Sequence, residues 1–445
     1  MQGISDVLVL LKEYSNSNKL SPFYLAGFNS EYSKRFWEKY KGVLYMTHFK
    51  RIVMNDLLSN VALSAFNIYT IWYLANVVHS QSAVALFGCA GFVEIVLASF
   101  GGRMSDRFPR INLIRIGSVA RMVALLVLIV MQKMSVSFTA VSVAVGCVLS
   151  FVTSFYLPAI ETIAPAFSED DDELIRNNAS LNMVQQLATI LGSALSGMLV
   201  LLKSSLVSYG IILVIMVASC VMMLRIPSDS VSREETETDE SMLDSLRQVV
   251  HLEVIRVLLP YATMINVSFW LYWYLTPMYL ARRLPDFKAA YSIQEMTIGI
   301  TAGVSGFLFS HVVRDASRHL HGYAQWLVLQ GVGIALFPLG AVFLTNQKVL
   351  LALLVVSWIV YGIANYMTGT IFVTIVQKKT EAKMLGVTYG VVFSLFGAIA
   401  PLSSVFSPAF SSIGPVGLLL LTMPMIVLPA VMMVDRRVNG LMRGV

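Results

Sequence analysis

The chain has 445 residues, 56% of them hydrophobic and 13% charged, with a mean hydropathy of +0.71. A soluble domain carries about 25% charged residues, so half the usual solvating charge is missing and a membrane is the fitting solvent. That excludes a soluble multidomain enzyme, a disordered scaffold and a disulfide-stapled secreted module; the excess of 32 Lys and Arg over 26 Asp and Glu implies no partner until its distribution is known.

The first 50 residues lack the features of a signal peptide, because the apolar run at 7–11 is too short and has neither a basic start nor a cleavage site. Lys34, Arg35, Phe36, Trp37, Lys39, Tyr40 and Lys41 interleave cations with aromatics, the pattern of a helix lying on an anionic inner leaflet. The alternative is a translated leader upstream of a start at Met46 or Met54. Apolar runs long enough to span a bilayer then recur at 55–77, 82–100, 113–131, 137–160, 179–202 and 206–226. After a polar, acidic stretch they resume at 255–281, 293–313, 323–344, 349–372, 387–411 and 416–434. The expected organisation is a cytoplasmic arm (1–54), a six-helix half (55–226), a cytoplasmic loop (227–254), a second six-helix half (255–434) and a tail (435–445). Two six-helix halves are the layout of a parallel-repeat transporter. Within the loop, Leu243, Leu246, Val249 and Val250 recur at helical spacing, so this segment is expected to lie along the inner surface. Cys89, Cys147 and Cys220 each sit inside an apolar run without ligand neighbours and read as small buried hydrophobes.

Twelve runs put both termini on one side, and the distribution of cations says which. With the N-terminus inside, the inner segments hold 25 of the 32 Lys and Arg, so the expected orientation is N-in and C-in. The positive excess is thus an orientation signal, with no nucleic-acid partner required.

The densest polar motif is Gly102-Arg103-Met104-Ser105-Asp106-Arg107-Phe108-Pro109-Arg110, between the second and third runs on the inner side. A glycine lets two helices approach closely, and a carboxylate among guanidiniums can form a charge-assisted latch. Here the chain resembles the major facilitator superfamily, whose signature in this loop is Gly-x-Leu-x-Asp-Arg-x-Gly-Arg-Arg. Gly102, Asp106, Arg107 and Arg110 match it, while Met104 replaces Leu and Pro109 replaces the second Gly. The resemblance covers most of residues 50–435. Within the superfamily it is similar to the macrolide-efflux and enterobactin-exporter-like branch of drug and siderophore exporters. The stretches that carry this are Phe155-Tyr156-Leu157-Pro158-Ala159, Asn178-Ala179-Ser180-Leu181-Asn182 and Leu246-Arg247-Gln248. Two features depart from the exporters. The fifth run reads Gly192-Ser193-Ala194-Leu195-Ser196-Gly197 where they often carry Gly-Pro-x-x-Gly-Gly, and the Arg many keep in the fourth run is absent. Both weaken export relative to import and leave the fold unaffected.

The resemblance implies roles for the motif. Asp106 is expected to face the start of the eleventh run near Gly386 and Thr388, where the helix dipole is positive. Glu161 is expected either to pair with Arg110 or Arg103 or to remain a solvated loop residue. Closing this latch favours an outward-open state.

Two charges lie within the membrane runs, Glu94 in the second and Arg121 in the third, at depths that differ by about 5 Å at 1.5 Å per residue. Charges there are costly in lipid, so both are expected to face the interior. Glu94 is either a proton carrier whose affinity Arg121 modulates or half of a permanent ion pair. Asp56 and Glu295 lie near the expected ends of their runs and rank lower.

By resemblance, the first, fourth, seventh and tenth runs line a central cavity. The seventh places Asn266, Trp270 and Tyr274 at i, i+4 and i+8, with Phe269 and Trp273 beside them. The tenth offers Trp358, Tyr361, Asn365 and Thr368, and the first Asn60, Ser64, Asn67 and Trp72. Such stripes are either packing and interface belt or a site for a large amphipathic or aromatic solute. His311, His319 and His321 lack the companion ligands of a metal site, and no Walker loop, nucleophile elbow or zinc motif occurs.

The expectation is therefore an all-α membrane protein of twelve helices with the major facilitator fold, not an enzyme, in a bacterial inner membrane. It exports a drug-like, siderophore-like or peptide-like small molecule in exchange for protons, by rocking two halves about a midplane site. It needs no cofactor beyond the proton gradient, and its partners are the solute and the bilayer, with a single chain as the working unit. The rivals are proton-coupled import of a similar solute and a non-transporting membrane sensor or assembly factor on the same fold.

Overall fold

The computed structural model of the chain describes residues 30–168, 170–202, 204–224, 226, 252–309, 322–379 and 385–443, and among these there are helices and connections but no strand. In chain order the first half comprises α1 (Ser30–Asn76), α2 (Gln81–Cys89), α3 (Gly91–Arg107), α4 (Arg110–Lys133), α5 (Phe138–Glu161), α6 (Asp171–Val200) and α7 (Ser205–Met223). The second comprises α8 (Glu253–Arg283), α9 (Ala290–Phe309), α10 (Tyr323–Phe343), α11 (Gln347–Lys379), α12 (Leu385–Phe406) and α13 (Pro415–Val434), then a short α14 (Arg436–Arg443). Nine helical segments among the described residues are long and apolar enough to cross a membrane, including His48–Asn76 in α1 and Arg176–Val200 in α6. The other three expected runs fall in α2 with α3, in α9 and in α12, which are helical but lie outside those nine. The inner-surface segment expected at 243–250 lies outside the described residues.

Two differences from the expected elements have local causes. The arm and the first apolar run form one continuous α1 from Ser30, because nothing between 42 and 55 other than Gly42 interrupts a helix. Asp56 is thereby placed well inside a helix, far from its start. The second run is split at Ala90, between Gly88 and Gly91, where the amide of Ala90 bonds the Phe87 carbonyl and the amide of Val93 bonds that of Ala90. Side-chain caps begin α2, α6 and α7: Ser80, Asp170 and Ser204 accept from the amides of Ala83, Glu173 and Val207.

The packing repeats between the halves. In the first, α1 packs on α6 and α7, α5 on α3 and α4, and α4 on α7. In the second, α8 packs on α12 and α13, α11 on α9 and α10, and α10 on α13. These are the same five pairings shifted by six membrane runs, the signature of an internal structural repeat. The halves meet chiefly through α6 on α9 and α2 on α12, with α1 against α8. Apolar side chains such as Val96, Met198 and Val214 remain largely exposed, as lipid-facing positions do.

Candidate functional site

A buried polar network ties α1, α4, α5 and α7 together in the first half. Arg121 of α4 is 1% exposed, and its Nη1 donates to Ser59 Oγ at 2.8 Å while Nη2 donates to Thr153 Oγ1 at 3.1 Å. The guanidinium also lies 3.8 Å from the centre of the Tyr156 ring, a cation–π contact. The Tyr156 hydroxyl stands 3.1 Å from both Asn55 Oδ1 and Asp56 Oδ1. Asn60 Nδ2 donates to the same Asp56 oxygen at 2.9 Å, and Asn55 Nδ2 reaches Ser118 and Ser219. Asp56 is itself 1% exposed. A charge removed from water must be compensated by an opposite charge and hydrogen bonds, and here Tyr156 bridges the guanidinium to the carboxylate.

Arg121 therefore faces the interior as expected, but its nearest connections run to Tyr156 and Asp56. Glu94 is partly exposed, within electrostatic reach of Arg121, and among the described residues forms no hydrogen bond or ion pair with it. The lower rank given to Asp56 is corrected here: its apolar run begins beside it, but its helix does not, since α1 starts 26 residues upstream at Ser30, and the side chain is buried. The available signal was polar spacing within an apolar run, since Asn55, Asp56, Ser59 and Asn60 recur at i, i+1, i+4 and i+5 on one helix face.

At the motif between α3 and α4, the side chains of Gly102, Arg103, Asp106 and Arg107 lie outside the described residues, as do those of Gly386 and Thr388. Arg110 is described, and its Nη1 donates to the Thr162 carbonyl at 2.9 Å. The expected pairing of Arg110 with Glu161 is not made: Glu161 is exposed, and Arg110 instead takes a carbonyl just past the C-terminal end of α5, where unpaired carbonyls carry partial negative charge. A close approach occurs one residue earlier, at Gly101, which the motif spacing does not single out: an added Cβ there would lie 1.8 Å from the Ser154 carbonyl oxygen. α3 and α5 thus cross with backbones in contact.

The aromatic residues of α8 and α11 form one chain of rings. Trp358 meets Tyr361 at 5.0 Å between centres, Tyr361 stacks on Phe269 at 5.2 Å, and Phe269 meets Trp270 at 5.3 Å. Trp270 continues to Trp273 at 5.5 Å, and Trp273 meets Tyr274 at 5.1 Å and Tyr291 of α9 at 6.1 Å. Trp358, Tyr361 and Tyr274 are buried and pack; Phe269, Trp270 and Trp273 keep partly exposed faces. Glu295, on the second turn of α9, accepts from Trp273 Nε1 at 2.9 Å, so this carboxylate joins the aromatic group.

The other expected cavity residues divide. Asn60 belongs to the Asp56 network, and Ser64 lies where a Cβ on Gly192 would stand 2.5 Å from it, which explains the small residues of α6. Asn67 is exposed, Asn266 is tied to the Ala262 carbonyl one turn back, and Trp72 Nε1 donates across the halves to the Lys288 carbonyl. Asn365 and Thr368 both bond Gln330 of α10. His311, His319 and His321 lie outside the described residues, among which no group of His, Cys, Asp and Glu fits a metal ion. The three cysteines are free thiols.

Six hydrogen bonds join the halves among the described residues, and all lie at one end. Gln81 Nε2 donates to the Tyr274 carbonyl and to Ser407 Oγ, both at 3.0 Å. Ser404 Oγ donates to the Ala85 carbonyl and meets Cys89 Sγ; Ser196 meets Ser292 at 3.2 Å; Trp72 meets Lys288. This is the end where α1, α6, α8 and α12 finish and α2 and α9 begin. Gly88 makes the closure possible, because a Cβ there would fall 2.6 Å from the Tyr274 ring and 2.8 Å from Ser404 Cβ.

A sequence profile described as Major Facilitator Superfamily matches residues 57–405. No curated protein sequence matches the chain. Among solved structures, a transporter of the POT family is similar at a TM-score of 0.69 and 12% identity, over 87% of this chain and 95% of that one. The nucleoside transporter NupG is similar at 0.65 and 14% identity, over 86% and 98% of the two chains. A bacterial homologue of the iron transporter ferroportin, in an inward-facing state, is similar at 0.64 and 12% identity, over 90% and 98%. At these identities the likeness is one of fold.

Proposed function

The chain belongs to the major facilitator superfamily, and we propose that it is a twelve-helix, proton-coupled exporter of a drug-like, siderophore-like or peptide-like small molecule across a bacterial inner membrane. The observation that carries this reading is the one-ended closure: every hydrogen bond between the halves among the described residues lies at the end opposite the 102–110 motif. With the N-terminus inside, closure of the outer end fits a state that takes up solute from the cytoplasm. Asp106 and its neighbouring arginines are then the groups that fasten the inner end in the opposite state.

In this reading the proton is held at Asp56, with Glu94 also within electrostatic reach of Arg121. Arg121 attracts the ionised carboxylates, while burial disfavours them. Rocking of the halves leaves the spacing inside the first half unchanged, so the balance shifts when the opening of one end brings water to the network, and Asp56 then releases or takes up a proton. The solute binds on the open faces of Phe269, Trp270 and Trp273.

Everted membrane vesicles with an acid interior test the proposal. They are expected to accumulate aromatic amphipathic compounds, and a protonophore is expected to abolish the accumulation. Uptake by right-side-out cells with none by everted vesicles would make the protein an importer.

A further inference from the structure

Glu295, on the second turn of α9, is the only Asp or Glu in the six apolar runs of the second half, and the Lys and Arg there stay at the helix ends, as with Arg256, Arg282 and Arg283. Its carboxylate is held by neutral donors. Trp273 Nε1 donates to Oε1 at 2.9 Å and Gln294 Nε2 to the same oxygen at 3.3 Å. Among the described residues, Oε2 receives no hydrogen bond and no cation forms an ion pair with the group. This contrasts with Arg121, whose charge is met by ring, hydroxyls and neighbouring carboxylates.

The surroundings of Glu295 are aromatic on several sides. Trp273 touches it directly, and Trp270, Tyr274 and Tyr291 pack against Trp273. The Tyr291 hydroxyl is buried and has no hydrogen-bond partner among the described residues. Ring faces carry negative electrostatic potential, so indoles and phenols around a carboxylate form a pocket that repels anions and attracts a large, weakly hydrated cation. A carboxylate in low dielectric without a cation of its own favours one brought by a ligand.

We propose that Glu295, with the partly exposed rings of Trp270 and Trp273, is a recognition site for a lipophilic organic monocation. The carboxylate supplies the counter-charge through Oε2, and the rings take the apolar body. The assignment rests on the exporter reading for its biological use, and it narrows the solute to cationic amphipaths. Its position fits that use: Glu295 lies one turn from Ser292, and Trp273 abuts Tyr274, so the site sits directly beneath the contacts that close the halves.

Equilibrium dialysis of the purified full-length protein in detergent tests the site without any gradient. The probes are tetraphenylphosphonium and tetraphenylborate, which share shape and differ in charge. The wild-type protein is expected to bind the phosphonium more tightly than the borate. Glu295→Gln, which keeps the Trp273 hydrogen bond, is expected to weaken phosphonium binding about tenfold or more and to leave borate binding unweakened. Glu295→Asp, which keeps the charge, is expected to bind better than Glu295→Gln, and Trp273→Phe to show a smaller loss. Unchanged phosphonium affinity in Glu295→Gln overturns the proposal, as does a wild-type preference for the borate. Glu295-dependent binding without accumulation in everted vesicles would count against export alone; accumulation of neutral solutes with no Glu295 effect would count against the cation site alone.

Discussion

The two halves repeat one packing pattern and place charge within it in opposite ways. In the first, Arg121 and Asp56 are both 1% exposed and joined through Tyr156, Ser59 and Asn60 into a network that spans four helices. In the second, Glu295 is partly exposed, held by an indole and an amide, and surrounded by rings. A closed network of charges can respond to water that reaches it as one end opens. A carboxylate that lacks a cation partner among the described residues can respond to a ligand. The contrast assigns coupling to the first half and recognition to the second.

The most severe way to break the comparison is Arg121→Met. It leaves Asp56 and Tyr156 buried without their cation, and the expected loss is about 3–5 kcal/mol of stability, read as a fall in the thermal midpoint in detergent. The matching change in the other half, Glu295→Gln, is expected to shift stability by only about 0.5 kcal/mol. Equal losses would erase the distinction between the halves.

A smaller effect is expected at the closure between them. In Gly88→Val, the added side chain meets the Tyr274 ring and Ser404. Overpacking of this kind costs about 1–3 kcal/mol, and the halves relieve it by parting at that end. Cysteines placed beside Gln81 and Ser407 are expected to react faster with membrane-impermeant thiol reagents in the variant. Unaltered reactivity would mean that this contact does not hold the closed end.

The smallest effect concerns the tail. The Tyr261 hydroxyl donates to Asp435 Oδ2 at 2.8 Å, and this bond, aided by the Arg437 amide, holds the Asp435 carboxyl below its ordinary range. A depressed carboxylate stabilises the fold above the ordinary pKa of about 3.9 and loses that contribution as pH falls through the folded value. Stability is thus expected to be flat from pH 5 to 8 with respect to this exposed group. Tyr261→Phe is expected to return its titration toward the ordinary value, read by carboxyl NMR of labelled protein.

Much of this arrangement was legible in the sequence, for physical reasons. Apolar length marks helices in a bilayer, and the spacing of Asn266, Trp270 and Tyr274 placed the aromatics on one helix face. The break at Ala90 was not legible, because single glycines are tolerated inside apolar helices, so Gly88 and Gly91 on either side of it do not by themselves mark a break. The depth of Asp56 was hidden because α1 has no breaker at the edge of its apolar run. Glu295 was counted as a helix-end residue, which is true along α9, but its partner Trp273 comes from the packing of α8 on α9. Arg110 found a carbonyl where side-chain charge alone suggested Glu161.

The division of labour is tested most directly by proton release on ligand binding, followed with a pH indicator in weakly buffered detergent solution while tetraphenylphosphonium is added. Wild-type protein is expected to release protons as the cation binds. Asp56→Asn is expected to bind the cation and release fewer protons than the wild type, any remainder coming from Glu295 as it takes the cation, and Glu295→Gln to lose both binding and release together. Proton release from Asp56→Asn at the wild-type level would contradict the account, because the coupling proton would then lie outside the Arg121 network.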